Sequence, residues 1–546
     1  MKNYNFICNM AIVVIFTVIS LSAAFANPPA TPRQFNDITA TQLVANITVG
    51  WNLGNGLDVI PETPQQVLDF RNNFTISQME SFWGHPPATR ANIAAVKNAG
   101  FNAIRIPVSW SNAVDSNYNI RADWMARVTE VVNWAVENDM YIILNTHHDE
   151  EIFKFTNREV EASLRAFAKI WEQIAHNFRN YNEKLVFEAL NEPRTKGVSH
   201  EWTGGNAAER TNLNRHYQVF VDVVRASGGN NDKRILMINS YGAHGIAAAV
   251  NGLVLPNDTV PNKLVVSIHA YEPVGFTYSQ SWHTTSNWRS NNSRDTRAIH
   301  DIITPVYNRF VRNGIPVIIG EFASWNKNNT ADRAAHAEYF VNHTKSMGIA
   351  CFWWDASDMS ILNRYTSTFD FPEIVNALMR GAGVNAPVLP PKPAVEGTAA
   401  VFPSQVGGWG VASDNNSRIT QLGYQRFQGT RDGYAILVAS PDAATLGQMR
   451  TMRSFSFMVL GDGKRYEVMI PTTDTNVAHN HYRFSFTAPA GVPTRITVNV
   501  PTNLSQLDWG GHGVVPFNQR NVQNFQFAPS APGTFDLAVW DVRIVQ

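Results

Sequence analysis

Residues 185–194 read LVFEALNEPR, an apolar run of strand length that ends abruptly in Asn191, Glu192 and Pro193. A strand that is apolar on both faces needs cover on both sides, which is the signature of a parallel sheet wrapped in helices. Seven further runs of this kind recur between residues 46 and 354: NITVGWNLG, FNAIRIPV, MYIILN, RILMINS, KLVVSIH, IPVIIGE and IACFWW. Amphipathic helical stretches such as RADWMARVTEVVNWAVEND and EASLRAFAKIWEQIAHNF lie between them. This alternation predicts an α/β fold, an eightfold β/α (TIM) barrel spanning residues 35–381. An open doubly wound sheet is the alternative. No Gly-x-Gly-x-x-Gly turn or phosphate loop follows any of the strands to support it.

In such a barrel the active groups sit at the C-terminal strand ends. The polar residues of this chain fall there: Arg105 in FNAIRIPV, His147 and His148 after MYIILNT, Asn191 and Glu192, His269 and Tyr271 after KLVVSI, Glu321 in IPVIIGE and Trp354 in CFWW. Glu192 and Glu321 are distant in sequence, but strands four and seven open onto one mouth. Two carboxyl groups across a cleft are the minimum equipment for breaking a glycosidic bond: one protonates the leaving oxygen, the other attacks the sugar carbon or activates water. Arg105 is a positive neighbour that favours the charged form of the nucleophile. Trp354 offers a flat platform for a sugar ring. Glu188 is read as a supporting carboxylate.

His147 and His148, with His269 and Asp149, raise the question of zinc. Adjacent histidines at a strand end usually point in different directions and there is no His-Glu-x-x-His helix, so no metal and no cofactor is expected. A serine hydrolase is disfavoured by the lack of a Gly-x-Ser-x-Gly elbow.

The full chain has 546 residues, 44% of them apolar, with 44 basic and 44 acidic side chains. That balance gives no general attraction to nucleic acid or to an anionic surface. Residues 1–26 read as a signal peptide: Lys2, the apolar AIVVIFTVISLSAAF, then Ala24-Phe25-Ala26 as a small-x-small cleavage site. The expected destination is outside the cytoplasm: extracellular, periplasmic or at the cell surface. No later run is long and apolar enough to form a stable membrane span. Of the two cysteines, Cys8 leaves with the leader, so Cys351 has no partner for an intramolecular disulfide. A monomer is expected.

The stretch 382–397, which overlaps NAPVLPPKPAVEGTAA at 385–400, is a stiff proline-rich linker. Beyond it, residues 398–546 change character. YAILVAS, SFSFMVL, KRYEVMI, YRFSFTAP, TRITVNV and FDLAVWDVRI have strand composition, with no obvious helix, and predict a β-sandwich or jelly roll.

Taken together, GWNLGN, IRIPVSW, LNTHHD, FEALNEPR, SIHAYEP, IIGEF and FWWD resemble glycoside hydrolase family 5, most closely its subfamily 4, which includes endo-β-1,4-glucanases and xyloglucanases. The resemblance implies retaining hydrolysis, with Glu192 as acid/base and Glu321 as nucleophile. It places Asn191 at the sugar 2-hydroxyl and Arg105, His269, Tyr271 and Trp354 around the site. It assigns His147 and His148 to the histidine pair after strand three, and Asn52 and Asn55 to the first strand's loop. The implied partner is a plant or other β-glucan: cellulose-like, mixed-linkage or xyloglucan. β-Mannanase or xylanase action is the alternative within enzymes, and a non-enzymatic carbohydrate-binding protein the alternative outside them. The cleft is expected to be open, with Trp83, Trp110, Trp202, Trp325 and Trp354 as candidate lining. The tail, through FMVLGDGKRYEV, DWGG and PFNQRNVQNFQF, resembles a family 11 carbohydrate-binding jelly roll more loosely. Tyr424, Tyr466, Tyr482, Trp509 and Trp540 are its candidate glycan contacts, with a purely structural cap as the rival reading.

Overall fold

The computed structural model describes residues 34–546 except 279–283, 393, 403–407, 423–424, 477–478 and 508–512. The leader at residues 1–26, Tyr424 and Trp509 therefore lie outside the described residues.

Eight parallel strands close into a barrel in chain order: β1 (Gly50–Leu53), β2 (Ala103–Ile106), β3 (Tyr141–Asn145), β4 (Leu185–Glu188), β5 (Leu236–His244), β6 (Leu264–His269), β7 (Val317–Phe322) and β8 (Ala350–Asp355). Closure runs through β1 and β8, with Trp51 opposite Trp353 and Asn52 opposite Trp354. Side-chain alternation divides each strand between two environments. Ile104, Ile142, Leu144, Phe187, Ile238, Val266, Ile319 and Trp353 face the surrounding helices. Ala103, Ile143, Val186, Met237, Val265, Ile318, Ala350 and Phe352 fill the lower interior, where the helix Ala40–Asn46 plugs the base with Ala40, Leu43 and Val44. At Gly50 a β-carbon would stand 2.1 Å from the Phe352 ring, so only glycine fits that layer.

The surrounding helices bury single stripes. In Ala122–Glu137 the buried residues include Trp124, Val128, Val131, Val132 and Ala135, the spacing of one helix face. No helix among the described residues is long and apolar enough to cross a membrane.

The C-terminal part is two antiparallel sheets around a separate core. One sheet runs Arg418–Leu422, Arg426–Arg431, Gly533–Val545, Ser454–Gly461, Thr494–Asn499. The other runs Trp409–Ser413, Ala435–Ala439, Phe525–Pro529, Arg465–Ile470, Tyr482–Thr487. Phe427, Phe455, Phe457, Val468, Phe525, Phe527 and Leu537 pack between them. The expectation of no helix here is corrected by Ala443–Met449, a short helix whose Asp442 accepts from the Thr445 amide.

Candidate active site

The same alternation that packs the barrel's lower interior delivers polar side chains to its upper layers. Two residues beyond Ala103 comes Arg105; beyond Ile143, Asn145; beyond Val186, Glu188; beyond Met237, Asn239. Arg105 is fully buried near the mouth and uses each of its nitrogens. Its Nε donates to Glu188 Oε2 at 2.6 Å, Nη1 to Glu321 Oε1 at 2.7 Å and Asn52 Oδ1 at 3.1 Å, and Nη2 to Asn191 Oδ1 at 2.8 Å. Burial works against the charged guanidinium, but Glu188 and Glu321 outweigh it and raise the Arg105 pKa. Glu188 is further held by Asn145 and Asn239, at 3.1 and 3.0 Å, and is fully buried. It braces Arg105 from beneath and has no route to a substrate.

The register of β7 against both neighbours shifts near its upper end, between Ile268 and His269 on one side and between Ile319 and Phe322 on the other. Glu321 sits in this irregular stretch. Besides Arg105, it accepts the Tyr271 hydroxyl on Oε2 at 2.8 Å. His269 Nδ1 stands between the two glutamates, 3.0 Å from Glu192 Oε1 and 3.5 Å from Glu321 Oε2. One ligand-type atom from each of Glu192, His269 and Glu321 lies within 4.8 Å of the others.

Glu192 is the more exposed member, on the loop after β4. Arg194 Nη1 donates to its carbonyl at 2.8 Å and approaches its Oε2 at 3.4 Å. Burial raises the Glu192 pKa. The His269 hydrogen bond and the charges of His269, Arg194 and His148 outweigh that, so the net direction is downward.

Around this centre, His147 stacks on Trp354, with ring centroids 5.7 Å apart and planes 4° from parallel. Burial holds His147 well below the ordinary histidine value, hence neutral. His148 lies edge-on to Trp83 at 5.7 Å. For His148 burial is outweighed by Glu150, Asp58 and Glu192, which raise its pKa. Asn52 is buried and donates to the carbonyls of Gly320 and Trp353, fixing β1 to β7 and β8. Asn55, at a left-handed φ of 54°, donates to Ser357 Oγ and ties the loops after β1 and β8.

Several placements differ from expectation. Trp110 does not line the cleft: it is fully buried and its indole donates to the Asn145 carbonyl. Trp202 is half exposed, with the Arg194 guanidinium 4.2 Å above its ring. In the sandwich, Tyr466 is fully buried, its hydroxyl bonded to Asp462 and the Asp536 carbonyl, so it is a core residue and not a glycan contact. Tyr482 is also buried and bonds the Val515 carbonyl. Trp540 is 6% exposed and stacks on Tyr365 of the barrel domain. Sequence reasoning passed over Asn145, Asn239, Arg194 and Arg364.

Among the described residues two clusters carry metal-type donors, Glu192–His269–Glu321 and Asp58–His147–His148; contrary to expectation, the adjacent histidines do not diverge, their ring centroids being 4.4 Å apart. In the first, Arg105 already supplies positive charge to Glu321. In the second, both Asp58 oxygens accept backbone N–H groups, from Asn55 at 3.0 Å and Gly56 at 2.7 Å. Neither arrangement favours an added cation.

The family model for cellulase (glycosyl hydrolase family 5) matches residues 67–360. The chain belongs to glycoside hydrolase family 5. Among similar proteins, the cellulase/esterase CelE of Acetivibrio thermocellus is 41% identical over 371 residues, 66% of this chain and 42% of CelE. Endoglucanase A of Clostridium longisporum is 35% identical over 68% of this chain and 71% of that protein. Among solved structures, a GH5-4 broad specificity endoglucanase from Ruminococcus champanellensis with bound cellotriose shares 42% identity at a TM-score of 0.60, over 64% of this chain and all of that one. A family 5 lichenase from Caldicellulosiruptor sp. F32, in complex with cellotetraose, shares 35% identity at a TM-score of 0.60, over 66% of this chain and 99% of its own.

Proposed function

We propose that this family 5 protein is a retaining, endo-acting hydrolase of β-1,4-glucans. The observation that carries the reading is the pairing of Glu192 and Glu321 across His269, with a carboxylate oxygen of each inside a 4.8 Å cluster. Retaining glycosidases hold their carboxyl groups about 5 Å apart, whereas inverting enzymes leave room for a water between them. Glu321, positioned by Arg105 and Tyr271, attacks the anomeric carbon while Glu192 gives its proton to the departing glycosidic oxygen. Glu192 then takes a proton from water, whose oxygen displaces Glu321 from the sugar and restores the starting configuration. Glu192 is the more exposed of the two, which suits the group that must meet both the leaving oxygen and the water. A bound glycan adds desolvation at Glu192, the influence that raises its pKa.

Arg105 donates to both Asn191, at 2.8 Å, and Glu321, at 2.7 Å, which supports Asn191 as the contact for the sugar 2-hydroxyl. Trp354, braced by His147, offers its ring as a sugar platform. A cavity of about 1110 Å³, lined among others by His148, Glu150, Arg194, Phe155, Pro61 and Leu68, adjoins the His148 and Arg194 side of the site; Glu192, Glu321 and Trp354 do not line it. Both cellulose-type and mixed-linkage β-glucans are within this reading, as the similarity to an endoglucanase and to a lichenase supports. The leader-like residues 1–26 support export of the enzyme. The tail's resemblance to a carbohydrate-binding jelly roll supports glucan retention by the sandwich.

The test is a product assay on carboxymethyl cellulose, mixed-linkage β-glucan, xyloglucan, xylan and mannan, with E192Q and E321Q alongside. Cleavage of the β-glucans with a rapid fall in viscosity, lost in both variants, is expected. Products from mannan alone, or full cleavage by either variant, overturns the assignment.

A further inference from the structure

The hairpin Leu362–Asn363/Thr368–Phe369, which follows β8, is gripped from two sides. On the barrel side, Arg364 is buried and its Nη2 donates to the carbonyls of Gly54, at 2.6 Å, and Asp355, at 2.7 Å. Gly54 directly follows β1, and Asp355 ends β8 next to Trp354 in the chain. Gly54 packs so closely on the Trp354 ring that a β-carbon there would stand 2.7 Å from it. Asp355 in turn accepts the Ile361 and Leu362 amides, and Asn363 caps the Tyr365 and Thr366 amides. The turn is thus stiff, and its position sets that of Arg364.

On the other side stands the sandwich. Tyr365 stacks on Trp540 with centroids 4.3 Å apart and planes 17° from parallel. Beside Trp540's strand, Arg426 is fixed by a two-pronged pair to Asp536 at 2.9 and 2.7 Å. Burial pushes the Tyr365 phenol up to about 12, with Arg426 and Asp536 as the nearest charges. A second contact joins Gln428 to Gln78, in the long loop after β1, at 3.4 Å. The connecting segment is not a free tether either: Leu389 exchanges two hydrogen bonds with Asn376, and Lys392 pairs with Asp370. The sandwich therefore contacts the barrel on the connections that follow β1 and β8; the first carries Asn55 and Trp83, and the second leaves the strand that holds Trp354.

We infer that the C-terminal sandwich is a positioning element of the active site, in which Trp540, stacked on Tyr365, fixes the turn that carries Arg364 and so seats Trp354. This rests on the reading of Trp354 as a sugar platform. It separates the sandwich from a merely tethered binding module, whose loss alters attack on insoluble polymer but leaves a short soluble substrate unaffected. Trp540 and Tyr365 are positioning residues that touch no substrate.

The experiment uses the full chain and soluble cellopentaose. W540A is expected to lower kcat/KM by about threefold to tenfold, the range for losing one aromatic stack. The loss should appear mainly in KM, because the platform holds the sugar without taking part in bond breaking. W540F should restore most of it. Y365A should give the same loss, and the double variant should be no worse than either single one. Retardation on β-glucan affinity gels should be unchanged throughout. Wild-type kinetics in W540A, additive losses in the double variant, or lost gel retardation with intact cellopentaose cleavage would each overturn the inference. If the wild type cleaves no β-glucan at all, the proposed function fails instead. The docking is then read by calorimetry: a single joint transition that splits in W540A supports it, and an unchanged profile refutes it.

Discussion

Replacing Tyr271 by Phe removes one oxygen and nothing else from the neighbourhood of Glu321. The Tyr271 hydroxyl donates to Glu321 Oε2 at 2.8 Å, and the ring packs against Tyr278 with centroids 5.1 Å apart, a contact that Phe retains. Arg105 continues to hold the other oxygen, so the carboxylate is not released but loses one of its two strong constraints. A hydrogen bond to a charged acceptor contributes about 1.5–3 kcal/mol, which corresponds to a loss of roughly 10- to 150-fold in kcat/KM. Because the hydroxyl touches the nucleophile rather than the bound glycan, the loss should fall on kcat with KM nearly unchanged. Steady-state kinetics on cellopentaose at fixed pH, with a thermal melt to confirm that the fold is intact, measures both. A Y271F enzyme within twofold of wild type, or one whose whole loss lies in KM, would refute the claim that this contact orients the nucleophile.

Glu188→Gln weakens the fully buried partner of Arg105, and breaking a buried ion pair costs about 3–5 kcal/mol, so a marked fall in melting temperature together with lost activity is expected. Since Glu192 must be protonated to act as acid, and His269 and Arg194 hold its pKa down against burial, kcat/KM should fall as pH rises. Arg194→Gln removes one of the lowering charges and should move the alkaline limb to higher pH; an unmoved limb would exclude Arg194 from this role. Burial pushes Glu272 up to about 7, so its contribution to stability is fully present below the ordinary glutamate pKa and is lost as pH rises through about 7. Glu272→Gln should therefore melt higher than wild type at pH 8 with little difference at pH 4, as scanning calorimetry at the two pH values will show.

The barrel was legible because its strands are covered on both faces, so they appear as continuous apolar runs broken by polar residues at one end. The same feature concealed part of the site. Asn145 and Asn239 share the inward parity of Ile143 and Met237, but an asparagine at a strand end is commonplace, and only closure of the barrel brings both onto Glu188. Arg194 and Arg364 lie on loops, where no periodicity marks direction. In the tail, Tyr466 alternates with Val468 and Ile470, so its inward course was readable from KRYEVMI. Trp540 was not readable in this way: the ladder between its strand and Ser454–Gly461 slips between Ser456 and Met458, and Asp541 has a φ of 45°, so strict alternation fails there. The helix Ala443–Met449 is short and is announced only by Asp442, a weak signal among strands.

The separation of Glu192 and Glu321 makes a stereochemical claim, and proton NMR of the first sugars released from a cello-oligosaccharide in deuterated buffer tests it most directly. The β-anomer should appear first, with the α-anomer growing in only at the rate of mutarotation. Initial release of the α-anomer would mean inversion and would contradict the assignment of Glu321 as nucleophile.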